Sequence, residues 1–229
     1  WETLDGDRGI VLKRLDEYRH LFEKQGRFII MKAEEISDKS RSGPVHINAI
    51  NLEHMVGSIG DGNLSTVQVM RQLLRSVALQ EKEIGRPILT HLNHPNYQWV
   101  VTAEDLAAVV EERFFEIYNG HTLINHEGDA DRPGDEMIWD IANTIRIANM
   151  GEVPLMGIAT DDSHMYHGGK DSPGRGWVMV NAEELTADSL IYAMRAGDFY
   201  ASTGITLTRV SYDAANRVIE LEIEADGDA

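Results

Sequence analysis

Short apolar runs alternate with amphipathic helical patterns along most of this chain, and this alternation limits the folds that it can adopt. The runs typical of strands are 28–31, 45–50, 87–92, 114–119, 155–160, 177–180 and 199–204. The helical patterns are 10–22, 65–85, a segment beginning near 102, a segment around 139–145, and 183–196. Strands that alternate with helices predict an α/β fold with a mainly parallel sheet, either open or closed into a barrel.

The end of the chain has a different pattern. Residues 207–212 and 218–224 alternate strictly between apolar and polar positions around a turn at 213–216. This pattern predicts an antiparallel β hairpin. We therefore expect a main domain over 1–204 and the start of an appended β element over 205–229.

Polar side chains that suit metal binding follow four of the predicted strands. The pairs are Glu34/Glu35, His91/His94, Glu116/Asn119 and Asp162/His164. Taken singly, each pair is also typical of a solvated strand end, and His46 of a hydrogen-bonded core histidine. Because ligands of α/β folds bind at the carboxyl tips of the strands, four such pairs together favour one shared site.

The stretch 155–164 is the most informative of these. An apolar run leads into Asp161, Asp162 and His164, and side chains two residues apart on an extended chain face the same way. Asp162 and His164 can therefore converge on one point. A carboxylate oxygen and a neutral imidazole nitrogen together suit a divalent metal ion.

Composition excludes several classes of partner. The 229 residues carry a net charge of −17, which disfavours binding to a nucleic-acid backbone or to an anionic membrane surface. There is no cysteine, so disulfides and thiolate chemistry are excluded while the cellular compartment stays open. The expected partner is a small anionic or ester substrate, and the oligomeric state is not predicted.

The glycine-rich loop after His164 carries candidate substrate contacts. Lys170, Arg175 and His167 are placed to hold an anionic group of a substrate, although ordinary surface charge explains them equally well. Asn96, in the His-Pro loop, is a further substrate-binding candidate, and Asp161 a candidate proton shuttle. The loop containing His121 and His126 is interpreted as a surface lid.

Several motifs together resemble the polymerase-and-histidinol-phosphatase (PHP) family of metal-dependent hydrolases. The motifs are Ala33-Glu34-Glu35-Ile36, Asn93-His94-Pro95-Asn96 and Thr160-Asp161-Asp162-Ser163-His164. Three more are similar to the carbaryl hydrolase-like (CehA/McbA) branch of that family. They are Phe115-Glu116-Ile117-Tyr118-Asn119-Gly120, Pro173-Gly174-Arg175-Gly176-Trp177 and the run 197–204.

The resemblance implies a distorted (β/α)7 barrel with up to three divalent ions, usually Zn, Mn or Fe. It implies that Glu35 bridges two ions, that His46 and His94 join it on the second, that Asp162 serves the first and His164 the third. The family's opening His-x-His strand and a following Asp-His pair have no counterpart here. We interpret the chain as lacking about 60 N-terminal residues of the family pattern, since one βα unit takes roughly 30.

The leading prediction is a phosphoesterase in which metal ions activate a water molecule and polarise the phosphoryl oxygen. Asp162, His164, Asp161 and Arg175 are its candidate catalytic residues. A carbamate or carboxylic ester hydrolase using the same metal centre is the second interpretation. A non-catalytic metal- or ligand-binding module is the third, and the absent first ligands favour it.

Overall fold

A computed structural model describes residues 2–4, 7–9, 13–60, 62–165 and 169–224 of the chain. The strands are β1 (Glu2–Leu4), β2 (Asp7–Gly9), β3 (Ala33–Ser40), β4 (Gly43–Ile50), β5 (Leu89–Leu92), β6 (Phe114–Asn119), β7 (Met156–Thr160), β8 (Trp177–Val180), β9 (Phe199–Ser202), β10 (Leu207–Asp213) and β11 (Val218–Ile223). The helices are α1 (Leu15–Phe22), α2 (Thr66–Ile84), α3 (Ala103–Ala108), α4 (Asp135–Thr144) and α5 (Ala187–Ala196). A π-helical segment, Ile145–Met150, continues α4. Within the described ranges, no helix has both the length and the apolar character needed to cross a bilayer.

The central element is an open five-stranded sheet with the strand order β3-β4-β5-β6-β7. The pairs β3–β4 and β4–β5 are antiparallel, and the pairs β5–β6 and β6–β7 are parallel. The fold is therefore α/β with a mixed sheet. The expectation of a mainly parallel sheet is wrong for two of the four pairings, because a tight turn joins β3 to β4 and α2 returns the chain antiparallel to β4.

The two faces of the sheet are covered differently. One face packs against α2, α3 and α4, and its row of Ile36, Ile47, Leu92 and Phe115 is fully buried. The other face is apolar only along its amino-terminal half, where Leu89, Phe114 and Ile158 pack against α5. Its carboxyl-terminal half carries polar side chains, and the candidate site lies there.

The first part of the chain differs from the sequence prediction. The helix predicted over 10–22 begins only at Leu15, and residues 10–12 lie outside the described residues. The strand predicted over 28–31 does not form. The Ile30 amide donates to Glu23 Oε1 at 3.0 Å, and the Ile30 carbonyl accepts from Arg19 at 2.8 Å. Side chains at the end of α1 therefore bind the backbone groups that a neighbouring strand would otherwise pair.

The strand near this point is β3 instead. Its inward positions include Asp38 and Ser40, which are buried although polar. Asp38 accepts hydrogen bonds from the Ser58 hydroxyl at 3.0 Å and from the Ile59 amide at 2.9 Å, which offsets the cost of burial. These polar inward residues concealed the strand in the sequence, and Glu35 lies inside β3 rather than after its end.

The remaining elements follow the sequence prediction closely. Ser65 caps α2, Gly85 ends it with φ 66°, and Thr102 caps α3. The C-terminal hairpin forms as predicted, with β10 and β11 paired antiparallel from Leu207 to Ile223. The helix predicted over 183–196 is shorter and begins at Ala187.

Candidate metal centre

The register of the sheet places the polar side chains of three strands on one face. Glu35 is paired with Asn48, and Asn48 with His91. Their neighbours Ile36, Ile47 and Leu92 point into the core on the opposite face. Because side chains alternate along a strand, Glu35, His46, Asn48 and His91 share the face opposite that core.

Glu35, His46 and His94 bring three potential ligand atoms together. Glu35 Oε1 lies 3.2 Å from His46 Nδ1 and 3.6 Å from His94 Nε2. The two ring nitrogens, His46 Nδ1 and His94 Nε2, are 3.2 Å apart. In the described part of the chain this is the one group of three or more such side chains with ligand atoms close enough to hold an ion.

The triangle of donor atoms has the size that a metal ion requires. Two ligands bound to Zn²⁺ at about 2.05 Å with a tetrahedral angle are about 3.3 Å apart. The three observed separations, 3.2, 3.2 and 3.6 Å, bracket that distance. Two imidazoles and one carboxylate also form a donor set that Zn²⁺, Mn²⁺ and Fe²⁺ accept. The residues present therefore fit a divalent ion.

The charges of this cluster stabilise one another. Hydrogen bonds with His46 and then His94 hold the pKa of Glu35 well below its ordinary range. Burial opposes the charge of His94, but its contact with Glu35 and the nearby carboxylates of Glu116 and Asp162 outweigh burial and raise its pKa. The site thus favours a negative carboxylate and attracts positive charge.

Asn93 holds the carboxylate of Glu35 in place. Its Nδ2 donates to Glu35 Oε1 at 2.9 Å and also lies 3.1 Å from Asn48 Oδ1. Glu35 has 42% of its side chain exposed, so the amide fixes a group that solvent reaches. Hydrogen bonds from residues that do not themselves bind the metal commonly orient the ligand side chains in this way.

Glu116 links the cluster to the end of β7. It is almost fully buried and accepts from the His94 amide at 2.7 Å, from Asn119 Nδ2 at 2.8 Å and from the Thr160 hydroxyl at 2.8 Å. Asn119 Nδ2 also lies 3.2 Å from Asp162 Oδ2. Burial raises the pKa of Glu116, and its hydrogen bonds oppose this rise.

His91 lies beneath this network. It is buried, and its Nδ1 is 4.0 Å from Glu116 Oε1. Burial lowers the pKa of His91 to about 4, so the ring is neutral at neutral pH. A neutral imidazole can bind a metal, but His91 does not belong to the compact group of Glu35, His46 and His94.

Two of the candidate ligands have left-handed backbone conformations. His94 has φ 24° and Asp162 has φ 45°, values uncommon for residues with a side chain. Such strain costs about 1–3 kcal/mol and persists where the surroundings enforce it. Here Glu116 holds the amide of His94, and Asn119 contacts the carboxylate of Asp162.

Asp162 and His164 lie close to each other at the end of β7. His164 Nδ1 is 2.8 Å from the carbonyl oxygen of Asp162 and 3.6 Å from its Oδ1. The side chain of His164 is 62% exposed. Both residues were predicted as metal ligands, and neither belongs to the compact group formed by Glu35, His46 and His94.

The other predicted site residues have structural partners. Asp161 accepts from the backbone amides of Gly174, Arg175 and Gly176 at 2.6 to 3.0 Å, and it thereby anchors the glycine-rich loop. Burial opposes its charge, but these amide bonds lower its pKa. Arg175 Nη1 donates to the carbonyl of the exposed Lys170, while its buried Nε has no hydrogen-bond partner in the described residues.

Asn96 and His167 complete the predicted set. Asn96 is buried and donates to the carbonyls of Asn125 and Pro133, both at 3.0 Å, so it fastens the following loop. His167 lies outside the described residues. Asn93, which the sequence motif contains but which was not singled out, is the residue that contacts Glu35 directly.

The chain was compared with protein-family models, with curated proteins and with solved structures. None of the three comparisons finds a match. The functional conclusion therefore depends on the geometry of the site and on the sequence motifs.

Proposed function

We propose that this protein is a metal-dependent hydrolase of phosphate esters that belongs to the PHP family. The observation that carries the proposal is the triangle of Glu35 Oε1, His46 Nδ1 and His94 Nε2, whose sides match ligand spacing around a divalent ion. A bound divalent ion would lower the pKa of water towards neutrality and polarise a phosphoryl oxygen.

The fold proposal extends the same reasoning. The polar face of the open sheet would be the inner wall of a distorted (β/α)7 barrel, with its ligands at one end. Asp162 and His164 would serve further ions at the end of β7. Their contact through Asn119 and Glu116 with His94 supports a single connected centre.

The chain's own residues would bind and orient the substrate. Asn93 and Glu116 fix the ligand side chains, so the site needs little reorganisation when an ion binds. Arg175 and Lys170 lie on the loop that Asp161 anchors beside Asp162, where cations attract the anionic group of a phosphate ester. We assign Asp161 itself to loop anchoring, because three amides already occupy its carboxylate.

Metal binding provides the first test. The same interatomic distances also allow hydrogen bonds among the three side chains, so metal titration distinguishes the two interpretations. We expect Zn²⁺ or Mn²⁺ to raise the melting temperature of the wild-type protein. Glu35→Gln and His94→Ala should abolish that rise, whereas exposed matched controls, Glu83→Gln and His20→Ala, should retain it.

Hydrolysis provides the second test. Metal-free protein would be reloaded with each ion and assayed on an aryl phosphate, an aryl carbamate and an aryl acetate. The proposal expects phosphate release that is lost in His94→Ala and Asp162→Ala. Hydrolysis of the carbamate or acetate alone would establish the ester-hydrolase alternative, and activity unchanged in both variants would contradict the metal mechanism.

One observation favours a second candidate, a non-catalytic metal-binding module. In the described residues only one group of three side chains converges on a point, and Asp162 and His164 stand apart from it. Elemental analysis separates the two candidates. Two or three ions per chain favour the hydrolase, while a single ion without hydrolysis of any substrate favours the module.

A further inference from the structure

His121 lies beside the proposed metal centre and is not part of the ligand set. Its ring packs edge-on against His164, with ring centroids 4.6 Å apart and an angle of 79° between the planes. Only 13% of its side chain is exposed. It follows β6, the strand that carries Glu116 and Asn119.

Hydrogen bonds fix the orientation of this ring. The His121 amide donates to Asn119 Oδ1 at 2.8 Å, and the Leu123 amide donates to His121 Nδ1 at 3.1 Å. A ring nitrogen that accepts a hydrogen bond carries no proton, so the neutral ring has its proton on Nε2. His121 therefore presents an N–H donor at Nε2.

Within the described ranges that donor has no acceptor at hydrogen-bond distance. Asp171 Oδ2 lies 3.9 Å from His121 Nε2, which exceeds that distance. The other carboxylate oxygen, Asp171 Oδ1, already accepts from the Thr122 amide at 2.7 Å. Asp171 also accepts through its backbone carbonyl from the His164 amide at 3.0 Å, so one residue holds the segments of both histidines.

The neighbouring ring has the opposite arrangement. A carbonyl oxygen accepts from His164 Nδ1, so that nitrogen carries the proton and Nε2 keeps a free lone pair. The two rings, whose centroids are 4.6 Å apart, thus offer a donor nitrogen on His121 and a nitrogen able to bind a metal on His164. Asn119 fixes this relation, since its amide contacts Asp162 on one side and the His121 backbone on the other.

We propose that His121 binds the substrate, with its Nε2–H donating to an anionic oxygen of a phosphate ester. This inference rests on the proposed function and adds a residue that the metal ligands do not include. The role of His121 is to hold the phosphoryl group against the centre that His164 borders.

Two variants separate this role from a purely structural one. In His121→Asn the side-chain oxygen replaces the Nδ1 acceptor, but no donor reaches the position of Nε2. In His121→Gln the amide nitrogen reaches that position, but the Nδ1 acceptor is lost. A structural role needs the acceptor, and substrate binding needs the donor.

The experiment measures binding of inorganic phosphate to zinc-loaded protein by calorimetry. Since a hydrogen bond to a charged group is at stake, we expect His121→Asn to weaken binding roughly tenfold to a hundredfold. His121→Gln should stay within about threefold of wild type, and both variants should bind the same amount of zinc. Long-range proton–nitrogen NMR of the wild type should show His121 with Nε2 protonated.

The outcomes are distinct. Phosphate binding that is unchanged in His121→Asn, or weakened equally in both variants, would overturn the donor role and leave the hydrolase proposal intact. An Nδ1-protonated ring would overturn it as well. Zinc-loaded wild type that binds no phosphate would overturn both the donor role and the phosphoesterase proposal.

Discussion

Asp135 should make the stability of this protein fall as pH rises. It is the first residue of α4, it is only 1% exposed, and both carboxylate oxygens are buried without a hydrogen-bond partner in the described residues. Burial, together with the charges of Glu116 and Glu127, raises the pKa of Asp135 to about 8. The ordinary value is 3.8.

The direction of the effect follows from the two pKa values. Between pH 4 and pH 8 the folded protein keeps a proton on Asp135 that the unfolded chain has released. Each pH unit in this window therefore lowers the free energy of unfolding by about 1.4 kcal/mol. Above the folded-state pKa the loss levels off. Glu112, whose pKa burial raises to about 7, adds an effect of the same sign over a narrower window.

Asp135→Asn isolates the contribution of Asp135. The amide has nearly the shape of the protonated carboxyl group but does not titrate. We compare the free energy of unfolding of Asp135→Asn with that of the wild type. The difference should shift in favour of the variant by about 4 kcal/mol between pH 5 and pH 8, whatever the amide itself costs to bury. Urea denaturation at four pH values measures this difference, with exposed Glu136→Gln as the control. A difference that stays constant with pH would refute the buried, protonated state of Asp135.

Three further predictions concern stability and are measured by urea denaturation at one pH. Arg146 is fully buried and donates to the carbonyls of Leu106, Val109 and Glu112. Arg146→Ala should therefore lower the free energy of unfolding by more than about 3 kcal/mol. A decrease below about 1 kcal/mol, the size expected for a surface substitution, would contradict this prediction. A Cβ on Gly157 would lie 2.8 Å from a side-chain carbon of the neighbouring strand, so Gly157→Ala should cost about 1–3 kcal/mol, whereas Gly204→Ala, with open space around it, should not. Ser65→Ala removes the cap of α2 and should cost about 1 kcal/mol, with no change in metal binding.

The sequence correctly predicted those helices and strands that their own capping residues and apolar patterns specify. Ser65, Gly85 and the apolar stripe of α2 specify that helix without reference to the rest of the fold. The apolar runs of β6 and β7 predicted those strands for the same reason. The strand order of the central sheet and its antiparallel pairings β3–β4 and β4–β5 were not predicted, because the local patterns of these segments do not specify their partners.

The residues of the candidate site were likewise predicted only in part. The tips of β5 and β7 predicted His94 and Asp162 as polar residues at the edge of the sheet. Glu35 was included as the end of a strand over 28–31 that does not form, since it lies inside β3. The assignment of His46 as a ligand came from the family resemblance, because the residue alone was more typical of a core histidine. The positive φ angles of His94 and Asp162 had no sequence signal, since neither position is glycine.

The buried polar residues that concealed β3 also determine where Glu35 lies. A slip of one residue between β3 and β4 would turn every side chain of β3 to the other face. Glu35 would then point into the core, and Lys39 would replace Asp38 against the loop that supplies its hydrogen bonds. In the observed register Asp38 and Ser40 have hydrogen-bond partners. The cost of burying them without partners therefore favours this pairing, in which Glu35 and His46 lie together at the candidate metal site.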